Sequence, residues 1–316
     1  MSIVFLIGGL VVILLGANAL VGGASSIAKR FKIPDLVIGL TIVSIGTSTP
    51  ELAISIISAI KGNTDIAVGN VLGSNIANIL LILGISAIVY PLAVHKNTQY
   101  KEIPLGILAV ALIGFCGNDI FFDSSSANVL TRIDGIVLLC FFIIFLYYTF
   151  QIATKSDIPR EQIKHQPMWK AILFVLLGIG GLYFGGKYFV EGAIVMAKYF
   201  GMSDALIGLT IVAIGTSLPE LATSVVAAYK KNPDIAIGNV VGSNILNVFF
   251  ILGITATIKP LPLNQSTNID IAVAILASLL LFVSTFMVHK RKITRIEGII
   301  FVTIYIIYLV YLISNQ

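Results

Sequence analysis

The chain has 316 residues, 57% of them hydrophobic and 11% charged, with a mean hydropathy of +1.01. A water-soluble domain carries roughly a quarter of its residues as charged side chains, so a soluble enzyme or scaffold is excluded, as is a large domain outside the bilayer. The net charge of +5 does not indicate nucleic acid, because the basic residues are distributed by loop.

Apolar runs long enough to span a membrane fall at about 3–24, 36–60, 66–92, 103–117, 133–153, 171–197, 205–229, 235–258, 269–288 and 296–313. When the loops between them are alternated, fifteen basic residues collect on one side, from Lys29, Arg30 and Lys32 to Lys292 and Arg295. The other side holds four, Lys61, Arg132, Lys198 and Lys259, and Lys187 lies inside the sixth run. The positive-inside rule then predicts both termini outside and the central loop in the cytoplasm. In the first run, Ala17-Asn18-Ala19 resembles a signal cleavage site, but no positive region precedes it. The run also aligns with the sixth, Gly16 with Gly185 and Ala28-Lys29 with Ala197-Lys198, and is read as a retained span. Cys116 and Cys140 both fall in apolar runs and read as small core residues.

The second run contains Gly39-LTIVSIGTSTPE-Leu52, and the seventh nearly copies it as Gly208-LTIVAIGTSLPE-Leu221. Each is followed at the same spacing by a further copied block, Gly69-NVLGSNIAN-Ile79 and Gly238-NVVGSNILN-Val248. Residues 35–92 match 204–261 at 37 of 58 positions without a gap, and the constant offset of 169 pairs Asp35 with Asp204 and Glu51 with Glu220. Five runs per copy is an odd number, so the second copy enters the membrane from the opposite face, giving an inverted repeat. The expected fold is an all-α polytopic membrane protein of ten helices in two five-helix inverted-topology repeats. Residues 1–153 form the first, 154–168 a cytoplasmic linker and 169–316 the second. The pairing reaches the last runs, where Thr131-Arg132-Ile133-Asp134-Gly135 matches Thr294-Arg295-Ile296-Glu297-Gly298 at an offset of 163. The longer loop that causes this shift carries Asp119, Asp123 and Asp134, read as solvated residues.

Within Gly46-Thr47-Ser48-Thr49-Pro50-Glu51, Pro50 has no N–H and its ring clashes with the carbonyl four residues back. The carbonyls of Gly46 and Thr47 therefore leave the helix ladder. In a membrane, such backbone survives only where it lines a cavity or is buried in protein. Gly215-Thr216-Ser217-Leu218-Pro219-Glu220 repeats the arrangement. An intramembrane glutamate is costly and marks a functional site by default; the competing reading is a proline kink with a structural hydrogen bond. In the second blocks, Ser74 and Asn78 share a helix face, as do Ser243 and Asn247, with Asn70 and Asn239 one turn further. Asn75 and Asn244, off that face, are read as helix-to-helix glue. Gly69 with Gly73, and Gly238 with Gly242, provide the small-residue spacing for close helix approach.

Two carboxylates, freed carbonyls and hydroxyls make an oxygen-rich site suited to a hard cation, and Ca²⁺, which takes about 6–8 oxygens, fits better than octahedral Mg²⁺. His95, His165 and His289 all lie in loops or at span ends, so a transition-metal site is not expected. No nucleophile motif accompanies the glutamates, which argues for transport over catalysis. Two carboxylates facing each other in a poorly hydrated cavity repel, so an emptied site is expected to take up sodium or protons before it reorients. The absence of a continuous charged pore lining argues against a channel.

These motifs resemble the two alpha-repeats of the sodium/calcium exchanger family, within the calcium/cation antiporter superfamily. G-T-S-x-P-E followed by G-N-x-x-G-S-N-I-x-N occurs twice, and the resemblance covers essentially the whole chain. It implies Ca²⁺ export against Na⁺, with ten helices and spans 2, 3, 7 and 8 around the ions. It also implies that Glu51 and Glu220 bind Ca²⁺ with backbone oxygens of Thr47 and Thr216. Ser48, Ser217, Ser74, Ser243, Asn78, Asn247 and the carbonyls of Ser44 and Ala213 would complete the sodium sites, and spans 1 and 6 would slide against this core. No cofactor beyond the transported ions, no obligate protein partner and no long regulatory loop are implied. The chain departs from some relatives in having asparagine at both 78 and 247, which disfavours potassium coupling. A proton-coupled Ca²⁺ antiporter of the same fold is the alternative. The minimal, loop-poor architecture suggests a prokaryotic-type cell (inner) membrane protein.

Overall fold

The computed structural model describes residues 2–122, 127–155, 167–199, 213–264, 267–286 and 291–314. Among these, eight helices are long and apolar enough to cross a bilayer, and a bent pair adds a ninth candidate. The described residues form an all-helical bundle apart from two minimal strand pairings.

Helix α1 (Ser2–Phe31) lies along α7 (Met168–Tyr199), and the two form one unit. Glycines recur every seven residues at Gly9, Gly16 and Gly23. A Cβ on Gly16 would sit 2.8 Å from the Leu182 nitrogen, and one on Gly185 would sit 2.8 Å from the Ile13 nitrogen. The helices therefore meet backbone to backbone, the contact that small residues permit in lipid.

The second span is broken. Helix α2 (Asp35–Thr47) and α3 (Thr49–Lys61) meet at 46°. Ser48 sits at the joint with φ −82° and ψ 7°, outside helical geometry, and Pro50 occupies the first turn of α3, where its missing N–H is tolerated. The same joint recurs between α8 (Ala213–Thr216) and α9 (Leu218–Tyr229), where Ser217 has φ −88° and ψ 6°. The start of the seventh expected span, with Asp204 and Gly208, lies outside the described residues.

Helices α4 (Thr64–Val89) and α10 (Pro233–Ile258) are the most buried spans, with 78% and 94% of their apolar windows inside the protein. Each contains a π-helical turn, Asn78–Leu83 and Asn247–Leu252. A Cβ on Gly238 would lie 2.7 Å from the Leu36 carbonyl, and one on Gly242 would lie 2.8 Å from the Leu40 Cα, so α2 rests on the backbone of α10. Most of the copy of α2, residues 204–212, lies outside the described residues.

Around this core stand α5 (Thr98–Cys116), α6 (Arg132–Lys155), α11 (Thr267–Ser284) and α12 (Arg295–Ser314). Helix α5 packs on α11, α6 covers the end of α10, and α12 covers the end of α4. Two antiparallel pairings tie these outer helices down: β1 (Leu92–Ala93) with β4 (Lys292–Ile293), and β2 (Val129–Leu130) with β3 (Leu261–Pro262). Each joins the exit of a buried span to the entry of the last span in the opposite copy.

Several sequence expectations shift. The third span ends at Val89 instead of 92, because Leu92 is drawn into β1. The fourth begins at Thr98 instead of 103, because a polar π-helical turn is buried there: the Gln99 side-chain amide donates to the Thr285 carbonyl at 3.2 Å and to its hydroxyl at 3.0 Å. Hydropathy cannot see a helix start made of buried polar residues. The ninth ends at Ser284 instead of 288. Cys140 is exposed on the outside of the bundle and is not a core residue, whereas Cys116 is partly buried and packs against the core; both are free thiols. Asp119 and Asp134 are turn acceptors rather than simply solvated: Asp119 accepts the Val129 N–H at 2.9 Å, and Asp134 accepts the Thr131 N–H at 2.8 Å. Asp123, His165, His289 and most of the 154–168 linker lie outside the described residues.

Candidate functional site

The two helix breaks face each other across the core. Both glutamates are almost fully buried, Glu51 and Glu220 at 1% exposure. Each sits in the first turn after a break because the proline beside it can start a helix but not continue one. The N-terminal ends of α3 and α9 thus point positive backbone dipoles toward the carboxylates.

Hydroxyls from the opposite copy meet each carboxylate. Ser48 donates to Glu220 Oε1 at 2.9 Å and lies 3.0 Å from the Ser243 hydroxyl. Ser217 lies 3.5 Å from Glu51 Oε1 and 3.4 Å from the Ser74 hydroxyl. Thr47 is fully buried and donates to Asn239 Oδ1 at 3.1 Å. Thr216 stands on the joint beside Ser217 and faces Glu51. Ser44 is buried, with its hydroxyl 3.2 Å from the Thr41 carbonyl. Ala213 opens α8, four residues before the joint at Ser217.

Asn70 and Asn239 hold the glutamate backbones. The Asn70 amide donates to the Glu51 carbonyl at 3.2 Å and to Ser55 at 3.0 Å; Asn239 donates to the Glu220 carbonyl at 3.4 Å and to Ser224 at 2.9 Å. Ser55 and Ser224 are fully buried partners that the sequence reading passed over. Their signal was available: both follow their glutamate by four residues, on the same helix face.

Asn78 and Asn247 begin the π-helical turns of α4 and α10, the kind of local widening common at functional sites. Their amide nitrogens donate to Asn244 Oδ1 at 2.9 Å and Asn75 Oδ1 at 3.0 Å. Among the described residues, Glu51 Oε2, Glu220 Oε2, Asn78 Oδ1 and Asn247 Oδ1 are buried without a hydrogen-bond donor. A buried polar atom left unpaired costs about 1–3 kcal/mol, so each of these four acceptors, related in pairs by the repeat, is a group that a cation would stabilise. Every one of them is an oxygen, the donor type that hard cations take. Among the described residues no group of three or more His, Cys, Asp or Glu is assembled.

The structure therefore links Ser48 with Glu220 and Ser243, and Ser217 with Glu51 and Ser74, while Thr47 contacts Asn239, and Asn78 and Asn247 contact Asn244 and Asn75. A cavity of about 220 Å³ lies beside the breaks, lined by Gly46, Thr49, Pro50 and Pro219 and by Ile179, Leu182 and Tyr183 of α7.

The sodium/calcium exchanger protein family model matches residues 1–151 and 170–314. The putative antiporter CaxA of Alkalimonas amylolytica is 40% identical, with 99% of this chain and 98% of that protein aligned. The sodium/calcium exchanger MaX1 of Methanosarcina acetivorans is 32% identical, over 98% of each. The solved structure of the sodium-calcium exchanger NCX_Mj soaked with Na⁺ and Ca²⁺ superposes with a TM-score of 0.84 at 35% identity, covering 98% of this chain and 97% of that one.

Proposed function

Since the chain belongs to the sodium/calcium exchanger family, and is thus a multi-pass membrane transporter rather than an enzyme, we propose that it exchanges Ca²⁺ for Na⁺ at the paired glutamate site. Glu51 and Glu220 bind Ca²⁺ with backbone oxygens of Thr47 and Thr216. Ser48, Ser217, Ser74, Ser243, Asn78, Asn247 and the carbonyls of Ser44 and Ala213 serve the sodium ions. The observation that carries this reading is the set of four buried acceptor oxygens without donors. Two carboxylates cancel the charge of one Ca²⁺, and neutral oxygens complete its shell.

In this reading the chain forms ten spans in two inverted halves, 1–153 and 169–316, joined by a cytoplasmic linker, with both termini outside a cell (inner) membrane. Alternating access follows from the contrast between the polar core and the glycine-faced α1–α7 unit, which slides past the breaks and opens the flanking cavity to one side at a time.

The test is ⁴⁵Ca²⁺ uptake into sodium-loaded proteoliposomes, with potassium-loaded vesicles and a proton ionophore as controls. Uptake that needs internal sodium and survives the ionophore is the expected result. Uptake driven by a pH gradient alone replaces sodium with protons, which two facing carboxylates can also accept. Unchanged uptake by Glu51→Gln would sink the site assignment.

A further inference from the structure

An amide ligand is useful to a cation only if its oxygen, not its nitrogen, faces the ion, and the two ends of an asparagine side chain are nearly the same size. The geometry points to Asn75 and Asn244 as positioning residues that set this polarity for Asn247 and Asn78, a role that rests on the two-glutamate reading above.

The chain of donors and acceptors begins at groups that cannot be reversed. The Asn75 amide nitrogen donates to the Asn244 backbone carbonyl at 3.2 Å, and the Asn244 amide nitrogen donates to the Asn75 carbonyl at 3.2 Å. A carbonyl only accepts, so each nitrogen must point at it. The side-chain oxygen of Asn244 then faces Asn78, and that of Asn75 faces Asn247. Each accepts an amide N–H, at 2.9 Å and 3.0 Å. With its nitrogen so held, each outer asparagine has only its oxygen left to present, and Asn78 Oδ1 and Asn247 Oδ1 are the buried acceptors without a donor.

All four side chains are nearly inaccessible, from 1% for Asn75, Asn78 and Asn247 to 6% for Asn244, so water does not compete for the polarity. The relay also crosses the molecule. Asn75 on α4 orients Asn247 on α10, and Asn244 on α10 orients Asn78 on α4, so each helix sets the polarity of the other's ligand.

Substitution of the relay and its target separates orientation from adhesion. Sodium-driven ⁴⁵Ca²⁺ uptake by the full-length protein in vesicles is measured for wild type, Asn75→Leu, Asn247→Asp and the double variant. Leucine matches asparagine in size but accepts nothing, which frees the Asn247 amide to turn its nitrogen to the ion. Loss of such an orienting partner raises the Na⁺ KM, read from uptake against internal sodium concentration, by about ten- to a hundredfold, with a smaller change in kcat. A carboxylate has oxygen at both ends and needs no orienting partner. In the Asn247→Asp background the same leucine substitution therefore changes KM by no more than about twofold, the margin expected of uncoupled sites. An equal KM rise in both backgrounds would overturn the relay and leave helix adhesion alone. If Asn75→Leu folds only alongside Asn247→Asp, judged by gel filtration in detergent, the relay stands; if it folds in neither background, and Asn244→Leu with Asn78→Asp fails likewise, the relay falls. Glu51→Gln is measured in parallel: retained uptake there defeats the two-glutamate reading, whereas lost uptake with an additive cycle defeats only the relay.

Discussion

The α4–α10 core and the α1–α7 unit meet the membrane's demands in opposite ways. In the core, 78% and 94% of the apolar windows are buried, and the polar side chains that α4 and α10 give the candidate site, Ser74, Asn78, Ser243 and Asn247, are buried with them. In α1 and α7 only 28% of each window is buried, and the shared face is largely glycine. A polar network defines one arrangement, because each broken hydrogen bond inside lipid is costly. A smooth glycine face defines a plane of contact with few interlocking side chains. In the proposed exchange, that difference would assign rigidity to the part that holds ions and mobility to the part that uncovers them.

The largest expected effect comes from removing charge in the core. Glu220→Gln should reduce uptake to that of empty vesicles and abolish the rise in melting temperature on Ca²⁺ addition, while the ion-free melting temperature stays at or above that of wild type. Calorimetry with and without Ca²⁺ checks both parts, since any ligand that binds only the folded state stabilises it.

The converse change targets the smooth face. Gly16→Leu places side-chain atoms where even a Cβ would lie 2.8 Å from the Leu182 backbone nitrogen. Overpacking of this kind costs about 1–3 kcal/mol. Exchange should slow by about tenfold or more, with the Ca²⁺-dependent stabilisation retained. Loss of both together would show that the two regions do not divide the work.

A milder probe of the core is Thr47→Val, which deletes the 3.1 Å donation to Asn239 Oδ1. One neutral hydrogen bond is worth about 1 kcal/mol, so the Ca²⁺ KM should rise about fivefold with kcat little changed.

The smallest effect sharpens the symmetry itself. His95 pairs with Asp234 at 3.0 Å, and at the equivalent place in the other copy Asn264 donates to Asp65 at 2.9 Å. The hydrogen bond to Asp234 holds the His95 pKa above the ordinary histidine value, against an opposing effect of burial, with Glu102 raising it and Arg291 lowering it. A raised folded-state value means that the contribution is present below about pH 6.5 and is lost as pH rises through the folded value. His95→Asn should therefore flatten the melting temperature between about pH 6 and 8, whereas Asn264→Gln should leave the wild-type slope intact. With His95 about half exposed, solvent screens the pair and the change in melting temperature is small.

Much of the site was legible without coordinates. A glutamate after a proline inside an apolar run, present twice at one spacing, admits few explanations, and Ser74, Asn78, Ser243 and Asn247 followed from helical periodicity. Asn75 and Asn244 were read as glue because they lie off the ligand face. They do join helices, but their second contact, to an amide on the other helix, is invisible to periodicity within one helix. The π-helical turns at Asn78 and Asn247 were missed because no residue type marks them. Cys140 was misplaced because an apolar run has the same composition whether it faces lipid or protein.

The sequence by itself determined what depends on local chemistry and on the bilayer as solvent: the apolar runs, the duplication, the breaks at Pro50 and Pro219, and the residue types of the repeated blocks. Tertiary structure alone decided which atoms face one another. The partnership of Ser48 with Glu220 and of Ser217 with Glu51, the crossed asparagine pairs, and the β1–β4 and β2–β3 ties all join residues more than 120 positions apart. A one-dimensional pattern records what each helix can offer, but hydrogen bonds are directional and short, so only the packed arrangement selects the oxygens left to bind an ion.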